Sequence, residues 1–168
     1  MAAAIVIDAD CDEIERRLRT AIGRRRHRIH WRNESDAVRL KFPDALAGQP
    51  VQGIAVAVEP TTPRRQERDR ARAWWSLTWH LAERDVTDLI IEARQEDLNR
   101  RDQRTLSAIQ RAGIGTAIAY RFAYPSERPL LWAADALAGA LSAQLGDGTT
   151  RYTDRLPASL TEIHHIAG

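Results

Sequence analysis

A chain of 168 residues, 43% hydrophobic and 29% charged, has the length and composition of one ordinary globular domain. A formal charge of +2 is too mild to demand a nucleic-acid partner, and a lone cysteine, Cys11, excludes both an internal disulfide framework and a multi-cysteine zinc site. One thiol also suits a reducing compartment.

The segments follow in chain order. "AAAIVI" (2–7) reads as a buried strand. The opening "MAAAIVIDADCDE" has no basic head, Asp8 cuts its apolar run short, and no stretch reaches the roughly 18 apolar residues of a membrane span. A cytoplasmic protein without a membrane partner is expected. "DEIERRLRTAI" (12–22) spaces Ile14, Leu18 and Ile22 as a helix does, and "GRRRHR" (23–28) is basic. "SDAVRLKFPDAL" (35–46) is helical with Pro43 breaking or ending it, and "VQGIAVAV" (51–58) is a second strand.

"RRQERDRARAWWSLTWHLAERD" (64–85) is the longest helix, with Trp74, Leu77, Thr78 and Leu81 on one stripe and Trp75 and Trp79 beside it. "VTDLIIEA" (86–93) is a third strand. "RDQRTLSAIQRAG" (101–113) is a helix ending at Gly113, and "GTAIAYRF" (115–122) is a weaker strand. "PLLWAADALAGALSAQLG" (129–146) is the last strong helix, and "SLTEIHHI" is either a short helix or a strand. Alternating strands and helices predict an α/β domain spanning 1–168, with a mainly parallel central sheet, helices on both faces, and 147–168 left open.

Ligands of an open parallel sheet gather beyond the carboxyl ends of its strands, where Glu92 falls. The next loop adds Glu96, Asp97 and Asp102 as lesser candidates, against the plainer reading that charged loops are solvated and that Asp102 suits the start of the next helix. Asp135 interrupts an apolar helix. With Leu130, Ala134, Leu137 and Leu141 facing the core, it falls on a neighbouring stripe beside small residues that leave room for another molecule. In "HRIHWRNESD", Asn33, Ser35 and Asp36 are helix-start residues, whereas His30 and Glu34 are candidates to orient water and to ligate metal. Glu92, Asp135 and Glu34 as carboxylate ligands would take Mg²⁺ or Mn²⁺. Two such ions would promote in-line displacement at phosphorus. Of 25 basic residues only Lys41 is not arginine, which reflects either codon bias or a preference for forked guanidinium groups that grip phosphate. The basic runs 23–28 and 64–72 read as solvated faces or as phosphate-tracking surface, with Trp31 available to stack on a base.

The runs "RRHRIHWRNESD", "PTTPRRQERDRAR", "DLIIEARQEDLNRRDQRTL" and "YRFAYPSERPLLWAADALAGAL" resemble a bacterial family known as domain of unknown function 3800, over roughly residues 2–145. That resemblance implies a ribonuclease-H-like fold and a metal-dependent nuclease, a hydrolase of phosphodiesters. It maps Glu92 and Asp135 onto the family's later acidic positions, and His30 and Glu34 onto its His-x-x-x-Glu element. The family opens with a strand ending in an Asp-Glu-Ser-like signature, but "MAAAIVI" looks like its second strand. Either the start is placed late, or Asp8 or Asp10 replaces the missing aspartate, or activity is lost. The last alternative is a catalytically degenerate module that binds nucleic acid or protein. Independently, Trp74, Trp75, Trp79 and Trp132 fit either a core or a homodimer interface.

Overall fold

Strands and helices form close to where periodicity predicts them, but the strands pair differently. The computed structural model describes residues 1–6, 8–23, 29–59, 62 and 65–166, so most of the basic run 23–28 lies outside the described residues. Strand β1 (Ala2–Val6) is followed by helix α1 (Cys11–Ile22), short helices α2 (Asp36–Arg39) and α3 (Lys41–Leu46), and strand β2 (Val51–Val58). Then come α4 (Gln66–Ala82), β3 (Asp88–Glu92), α5 (Glu96–Arg111), β4 (Ala119–Ala123), α6 (Leu130–Asp147) and β5 (Glu162–Ile166). The tail thus resolves into a strand. Among the described residues no helix is long and apolar enough to cross a membrane.

Two small sheets replace the single parallel one. β1, β2 and β5 form a three-stranded sheet in that order, with β1 antiparallel to β2 and Ala2 opposite Ala55. β3 and β4 form a separate parallel pair, with Glu92 opposite Ala123. The ribonuclease-H-like, mainly parallel sheet expected from the sequence is therefore corrected. The β3–α5–β4 unit is a parallel crossover of the expected kind. The reason lies in β1. Its alanine-rich run is half-buried and packs on α6, so it lacks the double burial that a central parallel strand requires. A run of small apolar side chains also specifies neither partner nor direction.

The chain divides into two compact units, one comprising Met1, 56–123 and the residues from Ile163 on, the other comprising 2–55 and 124–162. In the first, α4 packs on α5 and buries the stripe that its spacing predicts, Trp74, Leu77, Thr78 and Leu81, while Trp75 and Trp79 are exposed. Both helices end in the same motif. Gly113, at φ 87°, donates its N–H to the Gln110 carbonyl and Ile114 donates to Ile109. After α4, Asp85 takes the left-handed position at φ 53°, and Val86 donates to Leu81.

A buried carboxylate joins these helices. Asp102, only 2% exposed, accepts from Arg70 Nε and Nη2 (2.9 and 2.8 Å) and from the Trp74 indole N–H (3.0 Å). Arg94 approaches it at 3.7 Å while donating to Glu67 at 2.7 Å. The sequence reads Asp102 as a lesser site candidate, a solvated loop carboxylate or a helix-start residue. Its position nearly two turns inside α5, facing α4, makes it a tertiary tie instead.

In the second unit, α6 buries Trp132, Ala133, Ala136, Leu137, Ala140 and Leu141. It packs on β1, α1 and α3. The stripe predicted through Leu130 and Ala134 is rotated, and those two are half-buried.

Asp102→Ala is expected to lower unfolding stability by about 3 kcal/mol, because it strands a buried indole N–H and two guanidinium groups. Asp102→Asn, which keeps an acceptor for Trp74, should lose less. Urea denaturation of both variants checks the order, and a wild-type midpoint for Asp102→Ala would refute the tie.

Candidate metal centre

The stripe that buries Leu77, Thr78 and Leu81 places His80 at the half-buried edge of α4. In a strand, residues two apart project to the same side, so Glu162 and His164 of β5 share one face, whereas His165 is exposed. The imidazoles of His80 and His164 stack with centroids 3.5 Å apart and planes 19° from parallel. One ligand atom each from His80, Glu162 and His164 lies within 4.8 Å of the others, and all three residues are half-buried. This is the one group of three potential ligands among the described residues. A tetrahedral ion bonded at roughly 2.0–2.1 Å holds its ligand atoms about 3.3 Å apart. Closing from the present spacing takes no more than about 1.5 Å, a distance that side-chain rotation covers.

None of the residues singled out in the sequence belongs to this group. Glu92 ends β3 in the first unit and is half-buried. His30, Glu34 and Asp135 lie in the second unit, where the structure brings Asp135 to the His30–Glu34 segment. There Asp135 Oδ2 accepts the Trp31 backbone N–H at 2.8 Å. This explains an aspartate within an apolar helix. It satisfies the amide of a segment laid against α6. The space beside it is filled by the chain's own Trp31. A Cβ on Gly139 would lie 2.2 Å from Trp31 Cγ, so only glycine admits the ring. Trp31 is 8% exposed, which corrects the reading of it as a free stacking surface. It meets Tyr152 edge-on at 4.8 Å, and Arg39 lies 5.4 Å over its ring.

Asp36 has a role other than capping. It accepts from the buried Tyr152 hydroxyl at 2.6 Å and pairs with Arg151 at 2.6 Å and with Arg39 at 3.3 Å. The Tyr152 hydrogen bond, followed by the charges of Arg151 and Arg39, holds its carboxyl below the usual aspartate range.

Sequence reasoning missed all three members of the metal group. A strand reading of "TEIHHI" would have put Glu162 and His164 on one face. Nothing local marks His80 as their partner.

No family model matches the chain, and neither a curated protein nor a solved structure matches it. The resemblance to domain of unknown function 3800 therefore gains no family match. Fold and family comparison together correct the ribonuclease-H-like nuclease and hydrolase identity that it implied.

Asp135→Ala is expected to cost about 1–3 kcal/mol by leaving the Trp31 N–H unsatisfied, while Asp135→Asn stays closer to wild type. Chemical denaturation separates the two. Asp36, with its folded pKa depressed, contributes stability above the unfolded value, and this is lost as pH falls through the folded one. The Tm deficit of Tyr152→Phe should therefore be widest at neutral pH and narrow through the acid carboxylate range. A deficit constant from pH 7 to pH 2 would exclude the linkage.

Proposed function

We propose that this chain binds a late first-row divalent ion, Zn²⁺ foremost, through His80, Glu162 and His164, and that the ion clamps β5 to α4. The observation that carries the reading is the convergence of two imidazoles and a carboxylate from segments some eighty residues apart. Two nitrogen ligands and one oxygen favour zinc or a neighbouring transition ion over the Mg²⁺ or Mn²⁺ that an all-carboxylate site would take. Three protein ligands leave a fourth position for water or another donor atom, and the half-exposure of all three residues gives access to it. Ligation requires neutral imidazoles, so binding releases protons and weakens in acid.

A ligand that binds only the folded state stabilises it by about 2.7 kcal/mol at one hundred times its Kd. Chelator-treated protein is therefore expected to gain thermal stability on adding Zn²⁺ and to gain none with Mg²⁺. The His80→Ala/His164→Ala double variant should lose that gain. No stabilisation by Zn²⁺, Ni²⁺ or Co²⁺, or an undiminished gain in the double variant, would refute the site.

A further inference from the structure

The solvent face of α5 carries a second feature, independent of the metal group. Arg100, Gln103, Arg104, Ser107 and Arg111 line an open groove with a volume of about 510 Å³. Arg100, Arg104, Ser107 and Arg111 follow one another at four, three and four residues, the spacing of a single helix face. The opposite face buries Asp102, Leu106 and Ile109 and so fixes which way the arginines point. Arg100 is engaged by Glu96 and by Asp97. Arg104 and Arg111 are exposed and have no ion-pair partner among the described residues. No acidic side chain lines the groove.

We propose that this face of α5 binds the phosphate backbone of a nucleic-acid duplex without reading its sequence. The arginines are spread along roughly 16 Å of helix rather than converging on one point. That layout suits a linear array of phosphates better than one small phosphorylated molecule. Guanidinium groups, with Gln103 and Ser107 between them, offer forked and single donors to phosphate oxygens. No lining residue is aromatic, so the groove lacks the stacking platforms with which single-strand sites hold bases. A duplex presents one charge per roughly 1.7 Å of its axis, a dense row of counter-charges for unpaired arginines.

The test is fluorescence anisotropy with a labelled 20-base-pair duplex, in chelator so that the metal group plays no part. Wild type is expected to bind at 50 mM salt, with affinity falling steeply as salt rises. Arg104→Gln/Arg111→Gln should bind about tenfold more weakly, and its log–log salt slope should be shallower by about 1.8, two phosphate contacts at roughly 0.9 each. Arg16→Gln/Arg17→Gln removes the same charge from α1 and should bind like wild type. Because both pairs are exposed, unchanged melting curves establish that each variant folds. Absence of duplex binding, equal weakening by the two double variants, or tighter binding of single strands or of inorganic triphosphate than of duplex would each overturn the proposal.

Discussion

The first unit depends on one desolvated carboxylate. Asp102 sits almost out of water, so its charge must be met within the protein, and three donors from α4 meet it: the Arg70 Nε and Nη2 groups and the Trp74 indole. Those donors lie four residues apart, one turn of α4, and fix the helix's rotation about its axis. With the rotation fixed, Leu77 and Leu81 turn inward, Trp75 and Trp79 outward, and His80 falls at the boundary. The same carboxylate fixes the rotation of α5, which directs Arg104 and Arg111 to solvent. Arg94 reaches it from the loop after β3, and that loop is held in turn by Asn99, whose side chain bonds both the Arg94 N–H and the Arg94 carbonyl.

The second unit solves a different problem with similar means. The segment before α2 has few apolar residues, yet it must be held against α6. Trp31 supplies the burial, and Gly139 supplies the space for its ring. Asp135 meets the amide that burial would leave without a partner. A larger residue at 139 or an apolar one at 135 would each remove one of these conditions. Charge appears again at a boundary where backbone leaves water, in an otherwise apolar helix. Glu15 offers a contrast. Burial raises its carboxyl pKa despite the nearby Arg128, which faces it at 3.2 Å without the alignment of a hydrogen bond.

Much of the element order was legible because it rests on local periodicity. The four-residue spacing of Ile14, Leu18 and Ile22, the Trp74–Leu81 stripe and Gly113 each report backbone geometry within a few residues. Strand pairing was not legible. "AAAIVI" and "VQGIAVAV" look alike whether they run parallel or antiparallel, and long-range packing against α6 decides between the two. The functional residues divide the same way. Glu92 drew attention because it ends a strand, a local fact, and Asp135 because it interrupts an apolar run, also a local fact. His80 and His164 stand 84 positions apart in the sequence, and their stacking is a product of tertiary structure alone. Asp102 was undervalued for a related reason. A loop-like, charged neighbourhood in sequence hides a position that faces a neighbouring helix.

The abundance of arginine can now be divided by environment rather than by count. Arg16 and Arg17 pair with Glu13, Arg39 and Arg151 with Asp36, Arg155 with Asp44, and Arg121 with Asp88. Apart from the half-buried Arg39, these are exposed pairs that are worth little individually and serve mainly to cancel charge at the surface. Arg70 and Arg94 are drawn toward the interior by Asp102 and are unavailable to a partner. Composition alone does not dictate which arginines lack acids. Arg104 and Arg111 stand on one face of a rigid helix whose phase is set from behind by a buried ion pair. A charged surface of that kind has its geometry built before any partner arrives, so less ordering cost opposes binding than on a mobile basic tail. The carboxylate that takes two arginines out of circulation therefore also holds Arg104 and Arg111 in a fixed row.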